Sequence, residues 1–211
     1  MLSIKKEKDS ASQLSRRSFL IASVGGGLMM AFSPSAFLAE QSAKQSLAEN
    51  IFSPSVWFEI NSDGQVLINV AKVEMGQHVG TALARIIADE LGANWDDVTL
   101  NHVETDPKWG YMVTGGSWSV FQSYKPLSQA GAAGRIALID AGAALLGKPA
   151  NECHAENGKV NCDGKSISFA DIVSKGNMDR TFSAEELAAL PIKNKAEMKL
   201  INQAAKALDI P

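Results

Sequence analysis

The sequence predicts an α+β fold, a small mixed sheet with two main helices on one face. Three observations predict it. Val66-Leu67-Ile68-Asn69-Val70 has strand character and runs through a glycine-marked turn into a helical pattern that begins at Val79. A second strand-like run, Val56 to Ile60, precedes it across Asn61-Ser62-Asp63-Gly64, where Asp-Gly favours a tight hairpin. An alanine-rich helical pattern ends at Gly147, just before Pro149.

Each element follows from its own signal. Val79, Leu83, Ile86, Ile87 and Leu91 keep helical spacing up to Gly92, a residue suited to the left-handed position after a helix. Val98, Leu100 and Val103 give a third strand after the turn at Asp96-Asp97. From Thr105 to Gly116 the composition turns to Pro, Gly and aromatics, over a length more typical of a functional loop than of a connector. Leu127, Ala130, Ala133, Ile136, Leu138 and Leu145 mark the second helix. Gly131 and Gly134 within it predict close packing against a neighbour; no strand immediately precedes them, as a phosphate cradle requires. Asn157-Gly158 sets a two-residue hairpin turn that pairs Cys153 with Cys162. In that register the cysteines form a non-hydrogen-bonded pair, close enough for a disulfide. Two readings stand: a disulfide, or two reduced, half-buried thiols paired by accident of register. A short helix is expected after Ser168, and Ser183-Ala184-Glu185-Glu186 has capping-box spacing.

The 211 residues, 45% hydrophobic and 20% charged, suffice for one core of ordinary size. A net charge of -3 with scattered Lys and Arg excludes a nucleic-acid footprint. The first fifty residues are a separate matter. Ser15-Arg16-Arg17-Ser18-Phe19-Leu20 matches a twin-arginine export signal, followed by an apolar run to Phe32 softened by Gly25, Gly26 and Gly27. Residues 1–50 are therefore expected to be a signal peptide and linker addressed to the twin-arginine translocase, and the protein to be periplasmic. An uncleaved signal would act as an anchor, although the apolar run is short beside the roughly 20 residues of a full span. Residues 51–180 are expected to form the folded unit, and 181–211 a linker to a further domain, because Asp209-Ile210-Pro211 is no natural stop.

Two loops carry the candidate chemistry. Gln77, directly after Gly76, brings a carboxamide close to backbone, and the helix behind it adds positive partial charge suited to anions. The alternative is that Gly76 merely turns the chain and Gln77 is solvated. Glu74 is a general base if buried, and otherwise a helix cap or a solvated acid. Gly115, Gly116 and Ser117, after Thr114, offer donors on a surface with little side chain. No G-x-S-x-G elbow occurs, and His78, His102 and His154 lack metal-ligand spacing, so no catalytic residue and no protein-ligated metal is assigned.

Taken together and in order, Glu74-Met75-Gly76-Gln77, Thr81-Ala82-Leu83, Asp89-Glu90-Leu91-Gly92, Val113-Thr114-Gly115-Gly116-Ser117, Gln129-Ala130-Gly131-Ala132-Ala133 and Ala155-Glu156-Asn157-Gly158 resemble the N-terminal portion of a molybdopterin-binding large subunit. The likeness is to the isoquinoline 1-oxidoreductase and aldehyde dehydrogenase type of the xanthine oxidase family, and it runs from about Trp57 to Gly176. It implies a fragment of a molybdenum-cofactor-binding domain, with molybdopterin cytosine dinucleotide as cofactor and oxidation of N-heterocycles or aldehydes, water supplying the oxygen. It implies that Gly76 and Gln77 meet the pterin or molybdenum oxo region, with Gly115, Gly116 and Ser117 on the opposite side. A 2Fe-2S small subunit would take the electrons, and the remaining large-subunit domains would come from another chain. His78 departs from the glycine usual in the family, and the family's catalytic glutamate belongs to a region this sequence does not contain. The expectation is a truncated or split subunit, inactive alone; the alternative is a non-catalytic periplasmic binding or remnant module.

Overall fold

The computed structural model describes residues 52–204 and 206–209; the export signal expected in residues 1–50 lies outside them. Among the described residues, seven strands and four α-helices build an α+β unit with two small sheets. The first sheet holds β1 (Phe52–Ser55), β2 (Phe58–Ile60), β3 (Val66–Val70) and β4 (Val98–His102) in that order. Its first two pairings are antiparallel and β3 pairs β4 in parallel, so the sheet is mixed. The parallel pair is bridged by α1 (Val79–Leu91), which Gly92 ends in the left-handed region.

Alternation places the core. Phe58, Ile60, Val66, Ile68, Val70 and Val98 are buried while Glu59, Leu67 and Asn69 between them are half-exposed, the period of a strand packed on one face. Against that face lie Leu83, Ile87 and Leu91 of α1 and Leu127, Ala130 and Leu138 of α2 (Ser119–Leu146). The two helices touch where α2 has glycines: a Cβ on Gly131 would stand 2.6 Å from the Cβ of Glu90, and one on Gly134 would stand 2.8 Å from Leu91 Cδ2 and 2.5 Å from the ring of Phe58 on β2. The apolar periodicity of α2 becomes legible only at Leu127, but the helix starts at Ser119 and tolerates Pro126 inside it.

The second sheet, β5 (Cys153–Glu156), β6 (Lys159–Cys162) and β7 (Lys165–Ser168), is an antiparallel meander. Cys153 faces Cys162 and the two are bonded, with their Cα atoms 4.3 Å apart. The hairpin tip docks on the end of α1, where Gly158 N donates to the Gly92 carbonyl at 2.9 Å. Val160 enters the common core beside Phe169 and Ile172 of α3 (Phe169–Lys175), whose N-cap is Ser168. The capping box at Ser183 and Glu186 opens α4 (Ala184–Ala189).

Three features differ from expectation. The link from β2 to β3 is a five-residue loop, Asn61 to Gln65, closed by Asn61 N on the Gln65 carbonyl, and not a two-residue turn. Strands β1 and β7 have no counterpart among the expected elements, although Asp163-Gly164, with φ of 43° and 76°, is the same kind of hairpin signal as Asn157-Gly158. The stretch after Pro191, part of the 181–211 expected as a linker, is laid along α1 as an irregular strap. Asp89 accepts Lys199 N (2.8 Å) and Ile201 N (2.9 Å), Glu90 accepts Lys193 N (2.9 Å), Trp95 Nε1 donates to Lys206 O (2.9 Å), and Arg85 donates to the carbonyls of Leu200 and Gln203.

Candidate functional site

The loop from Lys72 to His78 joins β3 to α1, and the loop from Val103 to Trp118 joins β4 to α2; both leave the same end of the parallel strand pair. Ligands in sheets with parallel strands collect at such strand ends. Three hydrogen bonds tie the loops together. Val73 N donates to Thr114 Oγ1 at 2.8 Å, and Lys72 Nζ donates to the carbonyls of Tyr111 and Val113, each at 2.9 Å. Lys72 is only 7% exposed and its ammonium lies 5.2 Å from the Tyr111 ring centroid. Burial holds its pKa below the usual lysine value.

A cleft of about 330 Å³ opens between the loops, lined by Met75, Gln77, Thr114, Gly115, Ser117 and Ser119. Gln77, Gly115 and Ser117 thus line one hollow, and the expected Gly76 and Gly116 are not among the residues that line it. Open space lies in front of Gly76 and Gly115, where an added Cβ would meet nothing within 4 Å. Gly116 and Ser117 both have φ of 59°, and Trp118 N closes their turn on the Gly115 carbonyl at 3.2 Å. Positive φ at both central positions is what a type I′ turn requires, and it costs more at Ser117 than at a glycine.

Local hydrogen bonds fix the first loop. Gln77 Oε1 accepts from Met75 N at 2.7 Å and its Nε2 donates to the Val73 carbonyl at 2.9 Å. One amide proton of that nitrogen remains for a ligand, since a carboxamide has two. Glu74 caps the helix: one carboxylate oxygen accepts Gly76 N (2.7 Å) and His78 N (3.1 Å), the other Val79 N (2.9 Å). Thr81 N and hydroxyl donate to Asp209 at 3.0 and 2.5 Å, and His78 Nδ1 lies 3.2 Å from the same carboxylate. Although burial raises Asp209, the Thr81 hydrogen bonds hold it well below the usual carboxylate range.

These facts revise the electrostatic expectation. The positive end of α1 faces Glu74 and Asp209 of the chain itself, so it is not free for an anionic ligand. The cleft lining sets hydroxyls, a carboxamide and backbone beside the apolar Met75, Val79, Ala82 and Val120, and contains no cationic side chain. Such a set suits the neutral, hydrogen-bonding edge of a pterin and makes no provision for a diphosphate. Glu74 takes the cap position among the readings open to it. His78 stands at φ 57°, the conformation in which the family's glycine is unstrained. Sequence reasoning missed Lys72, whose burial depends on a loop forty residues away, and Asp209, which had no local signal.

Comparison with known proteins gives the family. The family model of the molybdopterin cofactor-binding domain matches residues 2–205. The membrane-bound aldehyde dehydrogenase (pyrroloquinoline-quinone) of Gluconacetobacter polyoxogenes is 49% identical over 95% of this chain and 26% of its own length. The beta subunit of the isoquinoline 1-oxidoreductase of Brevundimonas diminuta is 29% identical over 81% of this chain and 23% of its own. A nicotinate dehydrogenase subunit of Pseudomonas putida is 29% identical over 74% of this chain and 13% of its own. The chain thus spans about a quarter or less of the relatives it matches. With the two-loop cleft in place and the family model covering nearly its whole length, the chain belongs to the molybdopterin-binding domains of the xanthine oxidase family.

Proposed function

We propose that this chain is the N-terminal part of the large subunit of a periplasmic molybdenum hydroxylase that oxidises aldehydes or N-heterocycles, with water as the oxygen source. The observation that carries the reading is the shared cleft, in which Gln77 faces Gly115 and Ser117. The cofactor, taken to be molybdopterin cytosine dinucleotide, would supply the redox chemistry. The protein's part is to bind and orient. The spare amide proton of Gln77 would donate to the cofactor, Gly76 and Gly115 give clearance, and the turn at Gly116-Ser117 with the Ser117 hydroxyl would hold the opposite edge. Gln77 is pre-set for this by its bonds to Val73 and Met75, which reduce the entropy lost on binding.

The cofactor's diphosphate and the catalytic carboxylate would come from the remaining large-subunit domains, so the chain alone is inactive. Electrons would leave through a 2Fe-2S small subunit, and export would use the twin-arginine translocase. The aldehyde dehydrogenase of Gluconacetobacter polyoxogenes favours an aldehyde among the two substrate classes, and the word membrane-bound in its name favours attachment at the periplasmic face. Among the described residues no helix is long and apolar enough to cross a membrane, so attachment would rest on residues 1–50 or on a partner.

That relative's name also supplies a second reading of the cofactor, pyrroloquinoline quinone. Metal and cofactor analysis decides. The chain would be purified with and without a co-produced polypeptide covering the rest of the 49%-identical relative. Molybdenum and pterin in equal amounts, only in the co-produced sample, are expected. Quinone without molybdenum would overturn the assignment, and no cofactor in either sample would leave a non-catalytic module.

A further inference from the structure

At Leu208 and Asp209 the strap reaches the first turn of α1, next to the loop that carries Gln77. Leu208 N donates to Thr81 Oγ1 at 2.9 Å, and the Asp209 side chain is fully buried. Gly80 makes room for it there: an added Cβ would stand 3.1 Å from Asp209 Oδ2 and 3.0 Å from Leu100 Cδ1. The Asp209 carboxylate takes the Thr81 amide and hydroxyl and faces His78 Nδ1 at 3.2 Å. One ligand atom from each of Glu74, His78 and Asp209 lies within 4.8 Å of the other two.

Packing does not fix this loop, because Val73 and Met75 to His78 are exposed. Polar bonds must hold it. Glu74 binds the amides of Gly76 and His78 on either side of Gln77, and His78 has the left-handed φ of 57°, unfavourable for a residue with a Cβ. His78 is thus gripped twice, by Glu74 at its amide and by Asp209 at its ring. The two carboxylates are side by side, an arrangement the positive end of α1 offsets. A plain cap of α1 needs only Thr81; the contact with His78 extends the hold to the loop.

We propose that Asp209 is a positioning residue for the cofactor cleft: reaching across from the strap, it holds His78 and so keeps the loop in the shape that presents the Gln77 carboxamide. It acts through His78 and touches no ligand itself. The inference rests on the reading of the cleft as the cofactor site, but the hold on the loop is measurable without any cofactor.

The test measures amide exchange in the chain alone, and molybdenum and pterin retained per chain after co-production with the rest of the large subunit. Asp209→Ala should speed exchange at Met75, Gly76, His78 and Val79 about tenfold, the worth of one hydrogen bond to a charged group. None of those amides bonds to Asp209. Protection from Leu83 to Leu91 should stay, cofactor retention should fall, and Asp209→Asn, which keeps an acceptor for Thr81, should restore most of both. His78→Phe leaves Thr81 capped but cuts the link to the loop, so it should speed the same four amides and decides the matter even where Asp209→Ala fails to fold. Faster exchange at Thr81 alone, or no effect of His78→Phe, makes Asp209 a helix cap only and overturns the proposal. Loaded wild type with equally loaded Asp209→Ala overturns the positioning role by itself. Wild type without molybdenum and pterin overturns the reading of the cleft and takes this role with it.

Discussion

Lys72 and His78 carry the two strongest local constraints on the candidate cofactor cleft. Lys72 ties Tyr111 and Val113 to the loop that holds Gln77, so Lys72→Met leaves two carbonyls short of a partner. Both residues are exposed, so water takes these carbonyls and the loss is that of the tie between the loops. The expected outcome is faster amide exchange confined to residues 111–117, with the protection of α1 unchanged; uniform loss of protection would show that Lys72 supports the fold and not the loop. His78 sits at φ 57°, where a side chain costs about 1–2 kcal/mol relative to glycine. His78→Gly and His78→Ala both lose the contact with Asp209, so their difference isolates the backbone cost. The glycine variant should be the more stable in denaturant by about 1 kcal/mol. Equal midpoints would mean the left-handed conformation relaxes when the imidazole is removed.

At the scale of elements, the α1–α2 interface sets how closely the two helices approach. Gly131 lies against Glu90 with no room for a methyl group, so Gly131→Ala should destabilise by about 1–3 kcal/mol through overpacking. A chemical denaturation series with Ala133→Gly as the reference gives the comparison, and an unchanged midpoint would contradict this close packing. The strap on α1 makes a second, pH-dependent link. Burial pushes Glu90 up to about 6 from an ordinary 4.5, against the Lys193 amide bond and the Arg135 charge. A carboxyl that binds its proton more tightly folded than unfolded contributes stability that is full below about 4.5 and lost as pH rises through about 6. That is a contribution of about 2 kcal/mol. Glu90→Gln should remove it, so the stability difference between wild type and variant should slope between pH 4 and 7; a flat difference would rule Glu90 out as the titrating group. The strap was invisible in the sequence because its backbone is irregular and its partners, Asp89, Glu90, Arg85 and Thr81, are about a hundred residues away along the chain.

Over the whole molecule, exposed apolar residues gather around one end. Val73, Met75, Tyr111, Val113, Trp118, Val120 and Phe121 belong to the two site loops and the first turns of α2, and Phe121 is 84% exposed. A patch of this kind marks a surface that associates with something else. For a fragment of a larger domain such a surface is expected on a sheet edge or face; the outer side of the sheet instead carries Val56, Ala71 and Trp109 packed under the long second loop. The isolated chain should therefore self-associate through the rim of the cleft. Trp118→Ser with Phe121→Ser should shift it toward monomer in sedimentation, without change in unfolding midpoint. A wild type that is monomeric at high concentration would contradict this.

The sequence alone determined the local elements. Helix spacing located α1, Gly92 and Gly147 placed the ends of both long helices, Asn157-Gly158 fixed the cysteine register, and Ser183 with Glu186 set a capping box. These are interactions between residues a few positions apart, so their signals survive in a linear reading. The tertiary structure decided that Gln77 and the Gly115 corner share one cleft, that Lys72 binds the two loops, and that Asp209 and Glu74 take the amides of α1. Each of the first two depends on strands β3 and β4 lying parallel with their loops leaving from one end, and the third on a strap returning to α1. No residue type encodes those arrangements locally, because their free energy comes from burying a shared core.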